Sequence, residues 1–143
     1  EKLPMIDNTT VYYENQYINA VTRNTSFAVS GVWIGLFDKG QTDTTTTTEV
    51  VSGNYARAFA SNAWPTMTGQ TVSNNSVISF PDPSASWGTV KGWAIFDSAV
   101  GGNRYLYGTL KYGVTISGSH SGVYFDVNDF QIGRTNIAEL TVI

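Results

Sequence analysis

The stretch WGTVKGWAIFDSAVGGNRYLYGTLKY, residues 87–112, reads as a β-hairpin. Trp87-Gly88 opens an apolar segment that runs through Val90 to Phe96. Ser98 to Asn103 follows, with Gly101-Gly102-Asn103, the small and polar residues from which tight turns are built. Arg104 to Tyr112 then alternates. Leu106, Gly108 and Leu110 fall on one side, and Tyr105, Tyr107 and Thr109 on the other, which is the period of two that a strand imposes.

Working outward, the same grammar recurs. Val32 to Phe37 is an apolar run interrupted by Gly35, too short for a helix and suited to a strand buried on both faces. It stops at Asp38-Lys39-Gly40. A turn at Ser52-Gly53-Asn54 precedes Tyr55 to Phe59, where Tyr55, Arg57 and Phe59 share one face. Pro65 ends that segment. Val77 to Phe80 is closed by Pro81-Asp82-Pro83. Val114 to Ile116 and Val123 to Val127 flank a Ser/Gly-rich turn at 117–122. Phe130 to Ile132 follows Asn128-Asp129, where the change of phase reads as a bulge. Thr44 to Thr48 resists helix and has little to bury, so 41–48 reads as a loop. The chain closes on the strand-like Leu140-Thr141-Val142-Ile143. One segment differs: Tyr13, Tyr17 and Val21, with Ile18 beside them, form the apolar stripe of a short amphipathic helix over 11–22. The polar cluster Asp7 to Thr10 supplies its cap.

Many short strands separated by turns predict an all-β fold. The expected architecture is an antiparallel β-sandwich, jelly-roll-like, with one short N-terminal helix and extended terminal arms. Its divisions are an N-terminal arm at 1–10, a single domain at 11–132 and a C-terminal extension at 133–143.

Of the 143 residues, 41% are hydrophobic and 13% charged, about half the charged share of an ordinary domain. Thr, Ser, Asn and Gly supply the polarity instead. Such a surface suits contact with other protein, because few charges must be stripped of water, and it equally fits a plain β protein, in which Thr is favoured. The net charge is −3, and the eight Lys and Arg are scattered singly. That distribution argues against nucleic acid as a partner. It also argues against a membrane, since no basic amphipathic helix and no run of about 18 apolar residues is present.

Candidate chemistry is sparse. The one histidine, His120, lies in Gly118-Ser119-His120-Ser121-Gly122, which lacks the central Ser of a nucleophile elbow and reads as a turn. With no cysteine and one histidine, a zinc site is not expected. Asp126, Asn128 and Asp129 form the best cluster of oxygen ligands, but not at EF-hand spacing. No phosphate-binding glycine loop is present and no cofactor is expected. The acidic residues fall at strand ends and turns, and nothing selects a catalytic pair. Trp33, Trp87 and Trp93 sit in apolar strands and read as core. Trp64, before Pro65, is the candidate exposed aromatic, the position from which a sugar ring could be stacked.

In order along the chain, several segments resemble a family of small virion structural proteins of tailed bacteriophages, of tail-fibre or capsid-decoration type. Val32-Trp33-Ile34-Gly35-Leu36-Phe37 is similar to its "YVGLF" strand. Glu49-Val50 with Ser52 to Arg57 is similar to "TEVSGGGYAR", and Val77 to Pro81 to "AITFP". Ser86 to Val90 resembles "DWGTVTH". Ala94 to Asp97 followed by Gly101-Gly102-Asn103 resembles "GIFDAATGGN", and Tyr107 to Leu110 resembles "YGALT". Together they run from about residue 11 to 132. The Thr-rich loop, residues 1–10 and residues 133–143 depart from the pattern.

The resemblance implies a non-enzymatic β-sandwich on the exterior of a phage particle, assembled in the host cytoplasm and carrying no catalytic residues. It implies other virion proteins as partners and self-association, with a trimer expected. Leu140, Thr141, Val142 and Ile143 are the candidate assembly contacts, as an arm that adds a strand to a neighbour's sheet. The alternative is a carbohydrate-binding module that recognises a host surface glycan.

Overall fold

The computed structural model describes residues 8–41 and 48–143. The N-terminal residues 1–7 and most of the Thr-rich loop, 42–47, lie outside the described residues. The fold is all-β, sandwich-like, with one helix.

The 87–112 stretch is the hairpin expected. β5 (Gly88–Phe96) and β6 (Arg104–Ile116) pair antiparallel, with Trp93 opposite Gly108 and Ile95 opposite Leu106. Gly101 and Gly102 turn the chain at φ +63° and +77°, the left-handed region that glycine enters at no steric cost. Asp97 closes the loop: its carboxylate accepts from the Asn103 backbone N–H at 2.7 Å and from the Asn103 amide at 3.0 Å. The segments read as two strands, 104–112 and 114–116, are one. Between the pairs Val90–Val114 and Gly92–Thr109, β5 has one residue and β6 has four, so the strand bulges at 110–113.

β1 (Trp33–Phe37) pairs along β5, and β2 (Ala58–Phe59) pairs with β1. The first sheet therefore has the order β2-β1-β5-β6. The opposite layer is divided. β4 (Ile78–Ser79), β7 (Val123–Phe125) and β10 (Thr141–Val142) form one three-stranded sheet, in the order β10-β7-β4. β3 (Thr71–Ser73), β8 (Phe130–Gly133) and β9 (Ile137–Ala138) form another, in the order β3-β8-β9. Residues 126–129 are not a bulge in one strand. They are the turn that carries the chain from β7 in one sheet to β8 in the other, with Asn128 at φ +70°.

One buried side chain holds that corner. Asn74 is fully buried. Its amide nitrogen donates to the Ser76 and Asp126 carbonyls, both at 2.9 Å. Its side-chain oxygen accepts from the Phe130 N–H at 3.0 Å. Every hydrogen of the amide is used, as a buried amide requires.

The core lies between the layers. Trp93 of the first sheet meets Phe130 with ring centroids 4.7 Å apart, and Phe130 meets Phe125 at the same distance, both edge to face. Gly108 is where the Trp93 ring passes: a Cβ there would lie 2.6 Å from the ring. Rings of this size dominate core energetics, and removing one to Ala costs about 3–5 kcal/mol.

The helix forms where expected. α1 (Val11–Arg23) is capped by Thr10, whose hydroxyl accepts from the Tyr13 N–H, and it ends at Asn24 in the left-handed conformation. Glu14 in the first turn and Arg23 in the last complement the helix dipole. The Asn8–Thr10 segment lies along β6, bridged at Leu106 and bonded from Tyr107 N–H to the Asn8 carbonyl.

The C-terminal extension is not a free arm. β9 pairs with β8, and β10 pairs with β7. The Ile143 backbone exchanges hydrogen bonds with Gly122. Leu140 is 7% exposed and belongs to the core. The physical reason is the turn at Arg134–Asn136, where the Asn136 side chain accepts from the Gly133 N–H and returns the chain to its own layer. Among the described residues no strand pairs on the outer edge of β10, and Ile143 is exposed beside it.

Candidate functional site

The residues singled out in the sequence are not brought together. Trp64 is half-buried rather than exposed. Its ring packs edge to face on Phe130, and its indole N–H donates to the Phe130 carbonyl at 3.3 Å. Leu140 is in the core, and Thr141 and Val142 pair within the opposite layer's own sheet. His120 sits in its turn, where Nδ1 accepts from the Ser117 N–H at 2.9 Å. Asp126 caps its own turn through the Val127 N–H. Asp129 is pushed above the usual carboxylate range by burial, then by Glu139 and Asp126. Among the described residues, no three His, Asp or Glu side chains are grouped to hold a metal ion, and no helix is long and apolar enough to cross a membrane.

The densest polar cluster is one the sequence does not announce. Glu49 and Arg57 form a two-pronged ion pair, Nε to Oε2 at 2.9 Å and Nη2 to Oε1 at 3.0 Å. Arg57 Nη1 also donates to the Ser98 and Gly101 carbonyls, at 2.9 and 2.8 Å. Its guanidinium lies 3.5 Å over the Phe96 ring. Tyr55 donates its hydroxyl to Glu49 at 2.7 Å and accepts from the Leu36 N–H. Burial, and then the Glu49 carboxylate, hold that hydroxyl far above the ordinary tyrosine range. Gly35 leaves room for the pair, since a Cβ there would lie 2.7 Å from Glu49 Oε2.

This cluster is a clamp. It ties the 49–57 segment and the 98–101 turn onto the open face of β1 and β5. Arg57 has every nitrogen engaged, and the tyrosine stays protonated across the neutral range. Removing one partner strands a desolvated charge, a loss of about 3–5 kcal/mol. The only hint in the sequence is Gly35 inside an apolar strand, together with the alternation that puts Arg57 on the Tyr55 face.

Apolar surface stands open at several places among the described residues. On the first sheet, Phe59 is 61% exposed beside Trp33, their rings edge to face at 5.2 Å. Across the molecule, a cleft of about 320 Å³ runs under α1, lined by Tyr13, Phe27, Val29, Val32, Trp64 and Ile95 among others. Its titratable groups are the hydroxyls of Tyr13 and Tyr105. Burial raises both, with Tyr17 adding to the effect on Tyr13 and Asp97 to that on Tyr105. Such a cleft offers contact area and no group that exchanges protons near neutrality.

A small β fold with a locked polar clamp and open apolar faces has the makings of a building block, and comparison with known families agrees. The chain falls among the fibre-type structural proteins of tailed phages. It belongs to the family described as Podophage GP4 fiber I protein gp80, whose model matches residues 8–133. No curated protein matches the chain. The clamp gives the resemblance a physical basis. Gly35, Glu49, Tyr55, Arg57, Asp97 and Gly101 to Asn103 come from three of the resembling segments, and the fold gathers them around one ion pair and the turn it grips.

Proposed function

We propose that this protein is a non-enzymatic, fibre-associated component on the exterior of the virion, working through contacts with other virion proteins and with copies of itself. The observation that carries this reading is the family match together with where the polar groups go. Glu49, Arg57, Tyr55 and Asp97 are all engaged in holding backbone segments. Phe59 beside Trp33 and the cleft under α1 leave apolar area open. The outer edge of β10, with Ile143, is retained as one assembly contact, since an edge strand presents unpaired backbone groups to a neighbour. The alternative of a capsid-decorating position uses the same contacts at another place on the particle. The test is to label the protein on purified virions and image them. Label at the tail fibres supports the reading, label over the whole capsid replaces it with decoration, and absence from the particle overturns both. Turnover of any substrate by the purified protein would overturn the non-enzymatic part.

A second reading, recognition of a host glycan, is favoured by one observation. Phe59 is largely exposed beside Trp33, so the candidate stacking surface passes from Trp64 to this pair. Glycan-array binding that is lost in Phe59→Ala, with thermal stability retained, would support it.

A further inference from the structure

The helix is docked by the wrong side for a core helix. α1 contains no buried residue. Its half-buried positions are Tyr13, Gln16 and Ala20, which share one face at about 100° of rotation per residue. Its larger apolar residues point elsewhere: Tyr17 is 44% exposed, Ile18 53% and Val21 66%. The helix thus rests on Tyr13, Gln16 and Ala20, with Tyr12 stacked on Tyr105, and offers Tyr17, Ile18 and Val21 to solvent.

We propose that this outward face is where two copies of the chain pair, with their helices antiparallel about a two-fold axis close to Ile18. The proposal rests on the assembly reading above and names the surface that serves it. Three features select the occupant. First, a lipid surface is disfavoured, because an interfacial helix carries a basic polar face and α1 has only Glu14 and Arg23 as charges. Second, the area suits a weak pairing of like with like. From their fractional exposures, Tyr17, Ile18 and Val21 present roughly 300 Å² of surface per copy, so two copies approach the apolar content of the smallest stable interfaces.

Third, charge sets the direction. Glu14 lies among the stripe residues on the helical wheel, at the N-terminal end, where its carboxylate accepts from the Thr9 hydroxyl at 2.7 Å. Parallel helices would bring Glu14 against its own copy, whether two or three chains met. Antiparallel helices whose two-fold lies between Tyr17 and Ile18 set Glu14 opposite Val21 and keep the two carboxylates about 10 Å apart along the axis. That separation is about a Debye length in physiological salt. Antiparallel helices also place each positive helix end beside a negative one.

The test uses the intact chain, which has no cysteine of its own, so introduced thiols report unambiguously. Sedimentation equilibrium over a rising concentration series is expected to show monomer passing to dimer. Ile18→Asn combined with Val21→Asn is expected to weaken that step by about tenfold or more, while the melting temperature at a concentration where the wild type is monomeric shifts by no more than about a few degrees. Under oxidation, Ile18→Cys is expected to link to itself, and Glu14→Cys to link to Val21→Cys but not to itself. A chain that stays monomeric, a trimer, a double variant that pairs like the wild type, or self-linked Glu14→Cys would each overturn the proposal. Occupancy of the wild-type protein on virions separates the two readings. A monomer that still mounts on particles defeats this inference alone, and absence from particles defeats the assembly reading itself.

Discussion

The helix at one end of the chain and the short strands at the other are built from similar material and meet water in opposite ways. α1 brings Tyr17, Ile18 and Val21 to the surface and buries none of its residues. The 133–143 segment buries Ala138 and Leu140 and pairs through both β9 and β10. Read as sequence, the helix carries the stripe that ordinarily meets a core, and the tail carries the strand that ordinarily seeks a neighbour. The fold exchanges these roles. The difference teaches that apolar content says a segment needs a partner, while the turn leading into it decides whether the partner is its own domain.

The most forceful way to break the comparison is to delete residues 134–143. This removes two strands and uncovers the side of Phe130 that Ala138 pairs with. Chemical denaturation is expected to show a loss of several kcal/mol, on the scale of a domain's whole stability of about 5–15 kcal/mol. A truncated chain that unfolds at the wild-type midpoint would return the tail to the status of an arm. Within the tail, Leu140→Ala is expected to cost about 2–4 kcal/mol, the transfer loss plus the cavity left behind, read from the same midpoint.

Changes in the helix should be milder. Thr10→Ala removes the cap that receives the Tyr13 N–H at 3.2 Å and is expected to cost about 1 kcal/mol. Thr10 also donates to the Arg104 carbonyl at 2.7 Å, so a cost above 2 kcal/mol would show that this long-range bond is the larger part. Smallest of all, Ile18→Asn alone is expected to shift stability by no more than about 0.5 kcal/mol at low protein concentration. A cost comparable to that of Leu140→Ala would mean the helix face is covered within its own chain.

Acid offers a further handle on the hairpin. Hydrogen bonds, first from the Asn103 backbone N–H, hold the Asp97 carboxyl below its ordinary range. Its contribution is therefore complete above the unfolded carboxylate value and is lost as pH falls through the depressed folded value. The Asp97→Asn variant is expected to lack that part of the acid dependence, which pH-dependent thermal melts would show. The group is close to solvent, so the difference should be small.

Much of this architecture is legible in the residues. The apolar runs at 33–37 and 88–96, and the Gly101-Gly102-Asn103 turn, specify the first sheet almost completely, because long buried strands and left-handed glycines leave strong marks. The helix span is equally plain, and the Asp7 to Thr10 cluster marks where its cap falls, with Thr10 the residue that serves. Which side of the helix docks was not, because a stripe records amphipathicity and not its direction. β3 and β9 were missed, since two- and three-residue strands such as Thr71–Ser73 have no period to detect. The tail reads equally as an arm or as a strand of its own domain, and the turn at Gly133 to Asn136 is what returns it to β7 and β8. Of the polar groups, Asn74 in its Ser-Asn-Asn-Ser run looks like any surface turn. Glu49 and Arg57 meet only because β1 and the 98–101 turn bring their surroundings together. Contacts fixed by tertiary geometry leave no local trace.

Asn74 has a bearing on endurance as well as on shape. An asparagine ages when the nitrogen of the next residue attacks its side-chain carbonyl and expels ammonia, closing a five-membered imide that water then opens to an aspartyl residue. Here the side-chain carbonyl is held by Phe130, and the Asn75 nitrogen is occupied by the Ala63 carbonyl at 2.8 Å. The corner residue whose conversion would place a negative charge in the interior is thus shielded from the slow chemistry that would convert it.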